Sequence, residues 1–113
     1  MSDFESRIEV QDGKVVLACV GAGRWGRNLV RVFDSLPEAQ LAAVCDANPD
    51  IRQTMSQQYP ETLVWSDYND LLKTDEIQAI VLAVPAVDHF ETARQALEAG
   101  KHVYVEKPIA LSY

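Results

Sequence analysis

Cations are scarce in this chain. Ten Lys and Arg stand against 17 Asp and Glu in 113 residues, a formal net charge of −7. A nucleic-acid partner is therefore not expected, because such partners are bound by clustered cations that release counterions. Long apolar runs are also missing: none approaches the roughly 18 residues that suggest a membrane span, so no membrane partner is expected. The opening MSDFESRIEV has no basic stretch leading into an apolar one, which argues against a secretory signal. Only two cysteines occur, Cys19 and Cys45, with no Cys-x-x-Cys or Cys/His spacing. No metal site is expected from them; both fall in apolar strands and read as reduced core residues of a cytoplasmic protein. No repeat, low-complexity tract or linker divides the chain, whose length suits one domain.

What the sequence does contain is organised around KVVLACVGAGRWGR, residues 14–27. Lys14 to Val20 is a short run rich in β-branched residues, as expected of a strand buried on both faces. Gly21-Ala22-Gly23-Arg24-Trp25-Gly26 follows without a gap, and Leu29, Val30, Val32, Phe33 and Leu36 then recur at helical spacing. In a strand-turn-helix setting the three glycines have separate tasks. Gly21 permits the tight turn, Gly23 leaves room for a pyrophosphate, and Gly26 lets the helix approach the strand. The free N–H groups of the first helical turn, from Arg24 through Trp25 to Gly26, then face the phosphates at the positive end of the helix dipole.

A second segment completes the pattern. Gln40 to Cys45 is apolar and ends in Asp46, 20 residues past Gly26, where an adenosine ribose needs an acidic acceptor for its hydroxyls. The expected ligand is a dinucleotide. NAD is favoured over NADP because Asp46 would repel a 2′-phosphate and no Lys or Arg follows it before Arg52.

Residues 1–13 read as a mobile arm, with a short strand possible at Ile8 to Val10 and a turn at Asp12-Gly13. Residues 14–113 read as the dinucleotide-binding domain. Asn48-Pro49-Asp50 starts a second helix with an N-cap, a proline at the first position and an acid in the first turn; it runs to about Tyr59, before Pro60. Thr62 to Trp65 is a third strand, Trp65 a packing residue, and Ser66-Asp67 caps a short helix carrying Tyr68, Leu71 and Leu72. Ala79 to Val84 is a fourth strand ended by Pro85. A fourth helix follows from about Asp88 to Ala99, with Phe90, Ala93, Ala96 and Leu97 inward and Gly100 after its end. His102 to Val105 is a fifth strand. Strands alternating with helices imply an α/β, Rossmann-type doubly wound parallel sheet of order 3-2-1-4-5. Its carboxyl edge would gather the glycine turn, Asp46, Val84-Pro85 and Glu106-Lys107.

The stretch VPAVDHFETARQALEAGKHVYVEKPIALS, together with the glycine turn, resembles the N-terminal domain of the Gfo/Idh/MocA family of glucose-fructose oxidoreductase and inositol dehydrogenase relatives. Within the family, residues 23–29 and 85–89 look most similar to enzymes that oxidise the carbon-three hydroxyl of UDP-N-acetyl sugars or their uronates. The resemblance implies that Glu106 lies by the nicotinamide, that Lys107 contacts the substrate hydroxyl as the catalytic residue, that His89 lies near the cofactor, and that Pro108 follows a cis bond. Ala86 departs from the asparagine of many members. A lysine at such an edge can polarise or help deprotonate an alcohol.

Family members continue into an α+β domain that supplies most of the substrate pocket and commonly the oligomer interface. The expected function is therefore the NAD-binding domain of a sugar or nucleotide-sugar dehydrogenase, inactive in isolation and prone to self-association. The alternative is a non-catalytic dinucleotide module that needs a separate partner chain.

Overall fold

The computed structural model describes residues 8, 11, 13–21, 23–83 and 86–105, with the backbone alone described at 24, 25 and 86–89. Nine elements alternate: β1 (Val15–Val20), α1 (Arg24–Ser35), β2 (Ala39–Cys45), α2 (Pro49–Gln58), β3 (Leu63–Trp65), α3 (Tyr68–Leu72), β4 (Ala79–Leu82), α4 (Ala86–Glu98) and β5 (His102–Val105). The strands form one parallel sheet in the order β3-β2-β1-β4-β5, the Rossmann-type arrangement expected from the sequence.

Each face of the sheet carries its own apolar layer, and β1 feeds both by alternation. Val16, Ala18 and Val20 join Leu71 of α3 and Ala96 of α4 on one side. Leu17 and Cys19 join Val30 of α1 and Met55 of α2 on the other. A strand covered on both faces has no polar side to show, which is why β1 reads as a continuous apolar run. Trp65 packs in the α3–α4 layer, as expected.

One irregularity in β2 bears on the site. Pairing with β1 runs Leu17 to Leu41 and then Ala18 to Ala43, so Ala42 is an extra residue. Ala42, Ala43 and Cys45 consequently face α3 and α4, whereas Leu41 and Val44 face α1 and α2. The bulge changes which residues of the strand reach which layer before Asp46 leaves the sheet. The Thr62 hydroxyl donates to the Leu41 carbonyl beside it, at 3.3 Å within the core.

Helix ends follow the sequence signals. Asn48 caps α2 by accepting from the Asp50 N–H at 2.9 Å, and Asp67 caps α3 by accepting from the Asn69 N–H at 2.9 Å. Gly100, at φ +83°, ends α4 with Lys101 N–H donating to the Ala96 carbonyl and Gly100 N–H to that of Leu97.

One expectation needs correction, and two segments are drawn in more detail. In α4, Ala96 is buried and Ala93 half-buried, but Phe90 is 78% and Leu97 61% exposed. The alanine stripe lets the helix lie close to the sheet, which turns the neighbouring Phe90/Leu97 stripe outward. In α1, Val30 is the fully buried residue and Leu29 and Phe33 flank it, while Val32 and Leu36 face outward. At the N-terminus Ile8 lies outside any strand yet packs against the α3–α4 layer; the other two positions of the expected strand lie outside the described residues. Element ends elsewhere move by one or two residues, α4 beginning at Ala86 and not Asp88.

Candidate cofactor site at the carboxyl edge

The turn after β1 is held by backbone bonds to both neighbouring strands. Gly21 N–H donates to the Cys45 carbonyl at 2.8 Å, and Ala83 N–H donates to the Val20 carbonyl at 2.8 Å. The last residue of β2 is thus tied directly to the first glycine, which brings Asp46 beside the turn. Asp46 N–H in turn donates to the Trp65 carbonyl at 3.0 Å, joining β3 to the same edge.

Gly21, Gly23 and Gly26 differ in what their backbone positions demand. Gly21 has φ +89°, a conformation that favours glycine. A Cβ at Gly26 would stand 2.0 Å from the Gly21 carbonyl oxygen and 3.4 Å from the Ala83 Cβ, so α1 can start here only without one. A Cβ at Gly23 would meet no heavy atom within 4 Å. The space in front of Gly23 is open to a ligand.

Gly23 is also the N-cap of α1, with no side-chain cap bond, and the first turn contains no acidic residue. Its free N–H groups and dipole suit a pyrophosphate. The donor set fits a dinucleotide: backbone donors for phosphate at the helix start, and a carboxylate at the end of β2 for a ribose hydroxyl. Asp46 Oδ1 accepts from the Asn48 N–H at 2.9 Å, which orients the carboxylate within the β2–α2 turn.

The structure brings together Gly21, Gly23, Gly26 and Asp46. Arg24 and Trp25 begin α1 and His89 lies in α4, but nothing is described of their side chains. Val84, Pro85, Glu106, Lys107 and Pro108 lie outside the described residues.

Two buried thiols adjoin the edge. Burial pushes Cys19 up to about 12. Burial, and then the nearby Asp46 and Asp67 charges, push Cys45 up to about 11, with Arg52 acting in the opposite direction. Both cysteines are free and buried, in keeping with a packing role.

The opposite edge of the sheet has its own polar features. Lys101 is buried, and its Nζ donates to the Thr74 and Ile77 carbonyls at 2.7 Å each. Burial lowers its pKa, against the nearby Asp75 and Glu76. A groove of about 620 Å³ beside Gln40 and Thr62 also opens there. Both lie at the amino ends of the strands, away from the glycine turn. Sequence reading missed Lys101 as a structural residue and Arg52 as a neighbour of Asp46.

Fold and site together define a dinucleotide-binding oxidoreductase domain. The Gfo/Idh/MocA profile, an oxidoreductase family with an NAD-binding Rossmann fold, matches residues 15–113, and the chain belongs to that family. An uncharacterized oxidoreductase, YrbE, of Bacillus subtilis is 30% identical across 88% of this chain and 29% of its own length. The 2,7-anhydro-N-acetylneuraminate hydratase of Mediterraneibacter gnavus is 35% identical across 85% of this chain and 25% of its own. Scyllo-inositol dehydrogenase from Lactobacillus casei, solved with NAD(H) and scyllo-inositol, superposes with a TM-score of 0.75 and 28% identity over 85% of this chain and 28% of its own. The chain spans less than a third of the length of these relatives.

Proposed function

We propose that this domain binds NAD across the carboxyl edge and forms the cofactor half of an enzyme acting on a carbinol of a sugar or polyol. The observation that carries the reading is the Gly21 N–H to Cys45 carbonyl bond. It sets the phosphate turn and Asp46 side by side, as one dinucleotide requires. Gly21 to Gly26 would hold the pyrophosphate and Asp46 the adenosine ribose. Glu106, Lys107 and His89 would serve the nicotinamide end, with Lys107 polarising the substrate hydroxyl. Bound NAD supplies the hydride acceptor.

The inositol dehydrogenase supports the polyol or sugar substrate, and UDP-N-acetyl sugars are one class within it. The sialic-acid-derived hydratase, at 35% identity, favours a second reading in which the same cofactor half serves a hydratase. A third reading keeps a dinucleotide module that works with a partner chain. Alone, the 113 residues should bind NAD without turnover. Positioning is worth about 7 to 11 kcal/mol of a barrier, and these residues correspond to less than a third of the length of the relatives. A cytoplasmic site of action accords with the reduced thiols.

Calorimetry with NAD tests the binding claim. Absorbance of the reduced cofactor, with UDP-sugars, inositols and simple sugars, tests the absence of turnover; saturable activity lost on Lys107→Ala would overturn it.

A further inference from the structure

The register of β2 decides where the ribose carboxylate stands. Below the bulge Leu17 is level with Leu41, and above it Val20 is level with Cys45, so Asp46 leaves the sheet at the height of Gly21. Carried on without the extra residue Ala42, the lower register would set Val20 against Val44. Asp46 would then stand one residue, about 3.3 Å, past the glycine turn, and every side chain from Ala43 onward would face the opposite layer. We propose that the bulge at Ala42 is the device that aligns Asp46 with the phosphate turn, and that Thr62, which holds the bulge, is a positioning residue for the adenosine ribose. The proposal rests on the dinucleotide reading above.

The bonds around the bulge single out Thr62. Pairing between β2 and β3 begins only at Ala43 and Leu63, so no residue of β3 is level with Leu41, whose carbonyl leads into the bulge. The Thr62 N–H is turned away and donates to the Tyr59 carbonyl at 3.0 Å. Its buried hydroxyl supplies the missing donor to the Leu41 carbonyl, at 3.3 Å. Without that donor the buried carbonyl would lack a partner, which favours a strand that shifts its register to find one. Ala42 and Ala43 lie in the same layer, and their small side chains let two consecutive residues share it. The turn beyond the strand is closed on itself. Arg52 Nη1 donates to the carbonyls of Asp46 and Ala47 at 2.9 Å each, and the Asn48 N–H donates to Asp46 Oδ1 at 2.9 Å. The carboxylate therefore moves with the end of β2, and a change of register at the bulge reaches it along the strand.

The test is titration calorimetry of the whole chain, as wild type, Thr62→Val and Thr62→Ser, with ADP and with 2′,3′-dideoxy-ADP, which lacks the hydroxyls that Asp46 would accept. Valine keeps the shape of the side chain and removes the donor; serine keeps the donor. The wild type should prefer ADP by about tenfold or more. Thr62→Val should cut that preference to less than about threefold and leave the affinity for the dideoxy ligand within about twofold of wild type, because the glycine turn still holds the pyrophosphate. Thr62→Ser should keep the preference. A valine variant with the full preference overturns the proposal. So does an equal loss for both ligands, which marks Thr62 as a support of the fold alone, or a serine variant that loses the preference as the valine variant does. If the valine variant fails to fold, amide hydrogen exchange of the wild type decides. ADP should slow exchange at Ala42 and Ala43 more than the dideoxy ligand does at equal saturation, and equal slowing overturns the proposal. A wild type that binds both ligands equally takes Asp46 out of the ribose site and overturns the proposal too. Failure of the wild type to bind NAD and ADP overturns the dinucleotide reading itself, and this proposal with it.

Discussion

Gly26 sits against Gly21 so closely that a Cβ at position 26 would stand 2.0 Å from the Gly21 carbonyl oxygen. That oxygen belongs to backbone and cannot turn aside, because the Gly21 N–H is already tied to Cys45 at 2.8 Å. Gly26→Ala should therefore push α1 off the end of β1. Overpacking of this kind costs about 1 to 3 kcal/mol, or a fall in Tm of roughly 4 °C or more for a domain of this size. A circular dichroism melt measures it, and an unchanged Tm would show that the turn can relax.

Gly23→Ala separates fold from function. The added Cβ meets no heavy atom within 4 Å, so Tm should change by a few degrees at most, the N-cap preference for glycine over alanine being about 1 kcal/mol or less. The methyl group would project into the space left for pyrophosphate. NAD affinity should fall by at least about tenfold, since losing even one charge-assisted contact is worth about 1.5 kcal/mol. Equal calorimetric Kd values for the two proteins would remove Gly23 from the site.

The legible parts of this chain are those where one residue type answers one local demand. Gly100 after α4, Asn48-Pro49-Asp50 before α2 and the glycine turn all name their conformation directly, and the apolar strands with helices between them fix the sheet order. The bulge at Ala42 was not legible because Leu41, Ala42, Ala43 and Val44 are all apolar, leaving no alternation to count. Phe90 and Leu97 were misplaced because two adjacent stripes of α4 are both apolar. Which one faced inward depended on how closely the alanines allowed α4 to approach the sheet. Arg52 and Lys101 were missed for a common reason. A long side chain can reach back to carbonyls that only the folded turn assembles.

Lys101→Met tests the structural lysine. Methionine fills the space but leaves the Thr74 and Ile77 carbonyls, now bonded at 2.7 Å, without the ammonium. Leaving a buried acceptor unsatisfied costs about 1 to 3 kcal/mol, so a urea midpoint should fall clearly while NAD affinity stays within about twofold of wild type. Loss of binding with no loss of stability would place Lys101 in the site instead.

Alkaline pH should destabilise the fold through the thiols and Tyr68. In the folded chain burial raises Cys45 from 9.0 to about 11, Cys19 from 9.0 to about 12 and Tyr68 from 10.0 to about 12. A raised acid keeps its proton in the folded state while the unfolded chain loses it. Its stabilisation is thus whole below pH 9.0 and declines towards about 11 for Cys45. Each such group contributes a slope of about 1.4 kcal/mol per pH unit within its window. Lys101, lowered by burial, acts in the opposite sense and offsets part of this. Urea midpoints followed from pH 8 to about 11 should fall, and Cys45→Ala should make the fall shallower by about one proton's worth. A flat profile would contradict buried, protonated thiols.

The outward stripe of α4 should make the protein associate with itself. Phe90 and Leu97 lie seven positions apart on the helix, 78% and 61% exposed, with half-buried Ala93 between them. Two copies packing these stripes together would bury four large side chains. At about 1.5 to 3 kcal/mol each, that is a gross gain of at most about 6 to 12 kcal/mol. Lost translational and rotational freedom costs about 4 to 15 kcal/mol. The terms nearly cancel, so the association should be weak and concentration-dependent. Arg94 lies on the same helix, paired with Glu91 and Glu98, and those charges limit how far the apolar contact can spread. Sedimentation velocity should show the average mass rising above the 12.6 kDa of one chain as concentration increases. The pair Phe90→Glu and Leu97→Lys, at exposed positions that the core does not use, should return it to that mass without lowering Tm. A wild type that stays at the monomer mass at the highest concentration would show that the stripe is too small to hold two copies together.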